Sequence, residues 1–221
     1  MLFAAGFGTR MGALTATCPK PLIKVAGKPL IDHALGVVAD AGIGTVVVNT
    51  HYLPEMMQTH LADQNLTLLH EPDILETGGG LRNALPHLGK GPVFTFNSDA
   101  VWKGKNPLTK LANRWDPDQM DALLLLIPPT QARGHQGVGD FILGKNGALT
   151  RGPGLVYSGA QIIKTDRLHN IASTKFSLNL LWETMIANGR IFGVAYNGGW
   201  CDVGTPEGIK IAANLLEGAN V

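Results

Sequence analysis

The chain has 221 residues, of which 28 are glycine, about twice the usual share, while charged residues reach only 16% against roughly 25% in an average domain. A net charge of +1 gives no nucleic-acid footprint, no apolar run approaches the roughly 20 residues of a membrane helix, and Met1 leads straight into apolar residues with no basic segment before them. Cys18 and Cys201 are too few and too far apart to signal a disulfide framework or a zinc site, so composition predicts a soluble, cytoplasmic globular protein.

Met1–Ala5 is a short apolar run, predicted as a strand; its brevity leaves room for residues upstream of Met1. It enters the loop Gly6-Phe7-Gly8-Thr9-Arg10-Met11, where glycines would let backbone N–H groups approach an anion. Met11 stands where a dinucleotide fingerprint has its third glycine, and no Gly-Lys-Ser/Thr follows. On the glycines alone, an ordinary strand-to-loop turn explains the segment equally well. In Cys18-Pro19-Lys20-Pro21-Leu22 two prolines fix the backbone on either side of Lys20. Read alone, Lys20 is a solvated loop lysine or a group that neutralises a phosphate chain together with Arg10.

Leu30–Asp40 has helical spacing and stops before Gly42, and Thr45–Asn49 reads as a buried β-branched strand. Pro54–Ala62 predicts a helix with Met56, Met57 and Leu61 on its inner face, and Leu66–His70 a strand. The run Glu71-Pro72-Asp73-Ile74-Leu75-Glu76-Thr77-Gly78-Gly79-Gly80 precedes a helix expected over Gly79–Leu88. Its glycines either start that helix or leave bare backbone for a ligand to lie against. Pro92–Phe96 is a strand running into Asn97-Ser98-Asp99. That places Asp99 at the carboxyl end of the sheet, where open α/β folds bind ligands and a carboxylate suits Mg²⁺; capping a following helix is the other reading. Leu108–Arg114 predicts a helix and Ala122–Ile127 a buried strand.

After Pro128-Pro129 the pattern changes. Gly134–Ala160 is glycine-rich with short runs that suit antiparallel strands, and it contains Gly139-Asp140-Phe141 and Tyr157-Ser158-Gly159. Phe176–Asn188 predicts a helix, Ile191–Ala195 a strand and Pro206–Leu216 a last helix with Thr205 as N-cap. Capping accounts for Thr205-Pro206 but not for Trp200 and Asp202 just before them. Asp99 and Asp202 are 103 positions apart, yet both end strand-like runs and could converge on one ion. The seven histidines show no ligand spacing, and only His135, with Arg133 in the same loop, stands out as an acceptor-site candidate. Strands alternating with helices, with near-continuous apolar strands, predict one mixed α/β domain: a Rossmann-like, mainly parallel sheet flanked by helices, with a small antiparallel insert. Residues 1–127 would form its nucleotide-binding half and residues 128–221 the half that carries the antiparallel insert.

Leu2-Phe3-Ala4-Ala5-Gly6-Phe7-Gly8-Thr9-Arg10-Met11, followed by Pro19-Lys20-Pro21-Leu22 and then Gly27-Lys28-Pro29-Leu30-Ile31, resembles the signature of sugar-1-phosphate nucleotidyltransferases. Asn97-Ser98-Asp99 and Trp200-Cys201-Asp202-Val203-Gly204-Thr205-Pro206 extend the resemblance to nearly the whole chain. Glu76-Thr77-Gly78-Gly79-Gly80 is similar to the short uridylyltransferases that act on N-acetylmuramate 1-phosphate in cell-wall recycling. The resemblance implies the nucleotide-diphospho-sugar transferase fold, with UTP and a sugar 1-phosphate as substrates and pyrophosphate as product. It assigns catalysis to Arg10 and Lys20, and metal binding, as Mg²⁺, to Asp99 and Asp202. Nucleotide contacts fall to Ala4, Ala5, Gly6, Gly8, Thr9, Glu71, Thr77, Gly78, Gly79 and Asn97, and sugar contacts to Asp140, Ser158, Gly159 and Lys175. Many relatives carry Gln near position 71, which leaves the base open between UTP and its rivals. No hexapeptide repeats follow, so a minimal transferase, as a monomer or small homo-oligomer, is expected. A metal-dependent glycosyltransferase and a catalytically silent nucleotide sensor are the alternatives.

Overall fold

A computed structural model describes residues 1–218. β1 (Leu2–Phe3) leads into 3-10 turns over Thr9–Thr15 and Lys20–Leu22, then the small hairpin β2 (Lys24–Val25) and β3 (Lys28–Pro29). Next come α1 (Leu30–Asp40), β4 (Val47–Thr50), α2 (Pro54–Leu61), β5 (Thr67–His70), α3 (Glu76–Leu88) and β6 (Val93–Asn97). β7 (Ala100–Lys103), α4 (Pro107–Arg114), β8 (Ala122–Ile127), β9 (Ala132–Arg133), β10 (Phe141–Leu143), β11 (Leu149–Arg151) and β12 (Val156–Ile163) follow. α5 (Asn179–Ala187), β13 (Ile191–Ala195), β14 (Gly199–Asp202) and α6 (Pro206–Glu217) complete the order.

Seven strands form the central sheet in the order β13-β8-β12-β6-β1-β4-β5. Every neighbouring pair is parallel except the two made by β12, so the expected mixed, mainly parallel sheet is the one that forms. β8 shows why its sequence has no polar alternation. Leu123, Leu125 and Ile127 enter one core with residues of α1, α2 and α4, while Ala122, Leu124 and Leu126 enter the other with residues of α3 and α5. A third cluster joins Val101, Cys201 and Val203 to Ala212 and Leu215 of α6.

β1 lies between β4 and β6, so the strand order reverses there and the carboxyl ends of β1, β4, β5 and β6 open onto one crevice. A second sheet, β7-β14-β9, stands beside it. Its register pairs Asp202 with Ala100, and Val203 N–H donates to Asp99 O at 2.9 Å. That pairing brings the two distant aspartates to one place.

The largest boundary shifts are at two helix starts, and one helix face also differs from expectation. α3 begins at Glu76, three residues before the helix read from the sequence, and α5 begins at Asn179 rather than Phe176. One contact serves both: Phe176 N–H donates to Leu75 O and Leu178 N–H to Thr77 Oγ1, so 176–178 docks on the start of α3, and of its backbone groups only the Ser177 and Leu178 carbonyls join α5. On α2, Met57 and Leu61 are buried as expected, but Met56 is exposed.

Candidate active site

The crevice holds two adjoining cavities that share Phe3, Ala5, Gly6 and Thr77. The larger, about 200 Å³, adds Ala4, Lys20, Pro21, Asn97, Ser98 and Asp99. The smaller, about 140 Å³, adds Asn49, Glu71, Ile74 and Glu76. A hollow of about 720 Å³ between 104–113 and Tyr196–Gly198 is larger but shares no residue with them.

Lys20 is the best-held charge of the site. It is buried, and its Nζ lies 2.7 Å from Asp99 Oδ2. Its stem packs on Gly8, where an added Cβ would come within 2.8 Å of Lys20 Cβ. Gly8 also has φ +66°, the left-handed region that a side chain disfavours by about 1–2 kcal/mol. Gly8→Ala is therefore expected to fold with stability lowered by about that amount, and to displace Lys20. The measurement is paired: thermal unfolding together with transferase rate, the rate falling by more than the unfolding loss explains.

Asp202 is the second carboxylate. Burial pushes its pKa up, the neighbouring Asp99 pushes it further, and Lys20, Arg10 and His135 pull it back. Arg10 is exposed, and its guanidinium reaches the same spot from the loop side. A Cβ on Gly204 would meet Arg10 Nη1 and Asp202 Oδ2, each at 2.9 Å. Asp99 and Asp202, brought to one place, form an oxygen donor set suited to a hard divalent cation. Among the described residues no cluster of three His, Cys, Asp or Glu could hold a metal, so such an ion would take its remaining ligands from water and phosphate oxygens.

On the other side of the crevice, Glu71 is buried, and its pKa is raised by burial against the pull of Asn49, the Leu75 N–H, His51 and His70. Its Oε1 accepts from Asn49 Nδ2 at 2.8 Å and its Oε2 from Leu75 N–H at 3.4 Å. Asn49 Oδ1 in turn accepts the Ala4 N–H at 2.9 Å. The sequence reading gives Asn49 no role. Its only signal is one amide in a strand otherwise of valine and threonine, yet it ties Ala4, just before the glycine loop, to Glu71. Ser98 is similar, donating from Oγ to Phe3 O at 2.7 Å.

The other expected residues fall into two groups. Ala5, Gly6, Thr77 and Asn97 line the cavities, and Thr9 is exposed in the first 3-10 turn. Gly159 lies against Asn97, since a Cβ there would meet Asn97 Cβ, Cγ and Nδ2 at 2.8 Å. Ser158 is buried beside Gly159; its Oγ accepts Ala160 N–H and its carbonyl accepts Trp200 Nε1–H. Hydrogen bonds within the chain already engage several of these groups. The amides of Gly78 and Gly79 do not lie bare in a cavity: both donate to Phe176 O, at 2.9 and 3.1 Å, because the free donors of a helix start must be capped. Ala4 lines the larger cavity, but its amide is taken by Asn49. Asp140 Oδ2 accepts Tyr157 N–H at 2.8 Å, which fastens the β10–β11 insert to β12. Lys175 is exposed on the segment leading to α5.

Residues 1–139 match the model of the MobA-like NTP transferase domain. The chain belongs to this family of nucleotidyltransferases. Within it, the chain is 39% identical to the N-acetylmuramate alpha-1-phosphate uridylyltransferase of Caulobacter vibrioides, over 96% of this chain and 94% of that one. The Neisseria meningitidis serogroup B enzyme of the same name is 33% identical, over 99% and 98%. Among solved structures, HddC from Yersinia pseudotuberculosis, complexed with GMP-PN, superposes with a TM-score of 0.80 at 18% identity, covering 98% of each chain. The inositol-1-phosphate CTP transferase from T. maritima gives 0.79 at 13% identity, covering 100% of this chain and 96% of that one. The family expected from Gly6–Arg10 and Pro19–Leu22 is therefore the family found, and the fold is that of nucleotide-sugar transferases.

Proposed function

We propose that this protein transfers a uridylyl group from UTP to a sugar 1-phosphate, N-acetylmuramate 1-phosphate in the first instance, and releases pyrophosphate. The observation that carries the reading is the meeting of Lys20, Asp99 and Asp202 at the mouth of a glycine loop, in a chain similar along its length to two uridylyltransferases. A phosphate oxygen of the sugar phosphate attacks the α-phosphorus in line; one P–O bond forms as the bond to pyrophosphate breaks. The nucleophile is already an anion, so no general base is required. What the chain must supply is charge balance and alignment of two polyanions.

In this reading Lys20 neutralises charge on the α-phosphate and Arg10, at the exposed rim, on the β- and γ-phosphates. Asp99 and Asp202 would hold Mg²⁺, which when bound screens the two phosphates from each other. Asn97 and Gly159, in contact, mark where nucleotide and sugar meet. The base preference rests on Glu71. In its network the carboxyl only accepts, and a carboxylate has lone pairs left after Asn49 and Leu75. Uracil offers N3–H to such an acceptor, whereas cytosine offers a lone pair there.

Pyrophosphate release across four triphosphates and the 1-phosphates of N-acetylmuramate, N-acetylglucosamine and glucose, with Mg²⁺, is the test. UTP with N-acetylmuramate 1-phosphate is expected to give the highest kcat/KM. Release of a nucleoside diphosphate instead indicates a glycosyltransferase. Nucleotide binding with neither product indicates a sensor.

A further inference from the structure

The rim of the smaller cavity is built on a strained turn. Glu76, which lines that cavity, has φ +59° without the freedom of glycine. A residue held there costs about 1–3 kcal/mol and persists only where its surroundings over-determine it. Here they do. On either side of Glu76, Leu75 O accepts Phe176 N–H at 3.1 Å and Thr77 Oγ1 accepts Leu178 N–H at 3.0 Å, while Phe176 O takes the amides of Gly78 and Gly79. The fit is close: a Cβ on Gly78 would stand 2.3 Å from the Phe176 ring, and one on Gly79 2.4 Å from Thr174 O.

The turn is thus only as firm as the segment that grips it, and residues 172–175 of that segment are exposed. What fastens the segment is Arg82, on α3. Its Nη1 donates to Ile171 O at 2.5 Å, its Nη2 to Ser173 O at 2.6 Å and Thr174 O at 3.4 Å, and its guanidinium lies 4.8 Å over the Phe176 ring. Among the described residues no carboxylate pairs with it within 4.0 Å. A planar fork with five donors can bridge several carbonyls at once, which a lysine ammonium on a flexible stem does poorly.

We infer that Arg82 is a positioning residue for nucleotide binding: by clamping 171–176 onto α3 it keeps Glu76 and Thr77 in the shape that receives the base, though it lines neither cavity. The inference rests on the proposed reading that the cavity of Glu71 and Thr77 takes the base.

The test is a cycle of Arg82→Ala, Glu76→Gly and the double variant, with Arg82→Lys alongside, reading UTP affinity by calorimetry and amide exchange at Gly78 and Gly79. Arg82→Ala is expected to weaken UTP binding about tenfold, about 1.4 kcal/mol, and to speed exchange at both amides; Arg82→Lys falls between it and wild type. On the Glu76→Gly background the same substitution is expected to cost less than about threefold, because glycine holds the left-handed turn unaided. UTP affinity within about twofold of wild type in folded Arg82→Ala overturns the inference, as does an equal loss on both backgrounds. Should Arg82→Ala not fold, Arg82→Lys decides in its place by the same two readouts. Wild-type protein that binds no UTP but binds another triphosphate overturns the base assignment, and the cycle is read with that triphosphate; binding none overturns both readings.

Discussion

Lys20→Ala is expected to lower kcat for pyrophosphate release about 10²–10³-fold while leaving divalent-cation binding intact. The ammonium is held by Asp99 at 2.7 Å and by a stem packed on Gly8, so its position is set before any substrate arrives. A charge fixed in that way stabilises what builds up on the phosphoryl oxygens without reorganising at the moment of reaction. Removing it takes no ligand from the cation; it deletes one of the positive charges that pull the Asp202 pKa down. Cation affinity, read by Mn²⁺ titration, should therefore hold or tighten as the rate collapses. Lys20→Arg is not expected to rescue, since a planar fork does not replace a compact ammonium held on Asp99 by a stem packed on Gly8. Wild-type-like release by Lys20→Ala sinks the role given to this residue.

Asp202→Asn separates the other way. It should abolish cation binding and lower the rate by a similar 10²–10³-fold, yet stabilise the metal-free protein at pH 7. The sign follows from the direction of the shift. The carboxyl pKa is raised above its usual 3.8 by burial and by Asp99, so between the unfolded value and the raised one the folded protein binds more protons. Stability of the chelated wild type therefore falls as pH rises through that interval, and the penalty is complete above it. Asparagine carries no such charge and escapes the penalty. A rise in Tm of about 2–4 °C, equivalent to about 1 kcal/mol at this chain length, is expected in chelator at pH 7, shrinking as the pH is lowered toward 4. An unchanged rate overturns the metal assignment, and a lower Tm in chelator overturns the electrostatic one.

The two variants test opposite halves of one arrangement, and much of that arrangement was legible in the sequence. Glycines 6 and 8, the prolines around Lys20 and the two aspartates at strand ends are local statements about backbone freedom, stiffness and charge. Glycine freedom and proline stiffness survive translation into three dimensions because they act within a few residues, whereas Asp99 meets Lys20 and Asp202 only through the fold. The unbroken run Ala122–Ile127 likewise announces a strand buried on both faces, and it feeds two cores in alternation.

Long-range pairing is another matter. No pattern within the chain says that Asn49 joins Ala4 to Glu71, or that β14 aligns Asp202 with Ala100. The glycine run at 78–80 shows the difference best. Its composition suited bare backbone facing a base, but Phe176, about a hundred residues on, claims those amides and moves both helix starts. The sequence by itself determined the alternating α/β order and where the glycine loop, Lys20 and the two aspartates fall along it, because propensity, patterning and residue chemistry are local. Only the tertiary structure decided which hydrogen bonds remain free for a ligand and that Arg82 and Glu76 belong to one device, because a donor's partner is chosen by the whole fold.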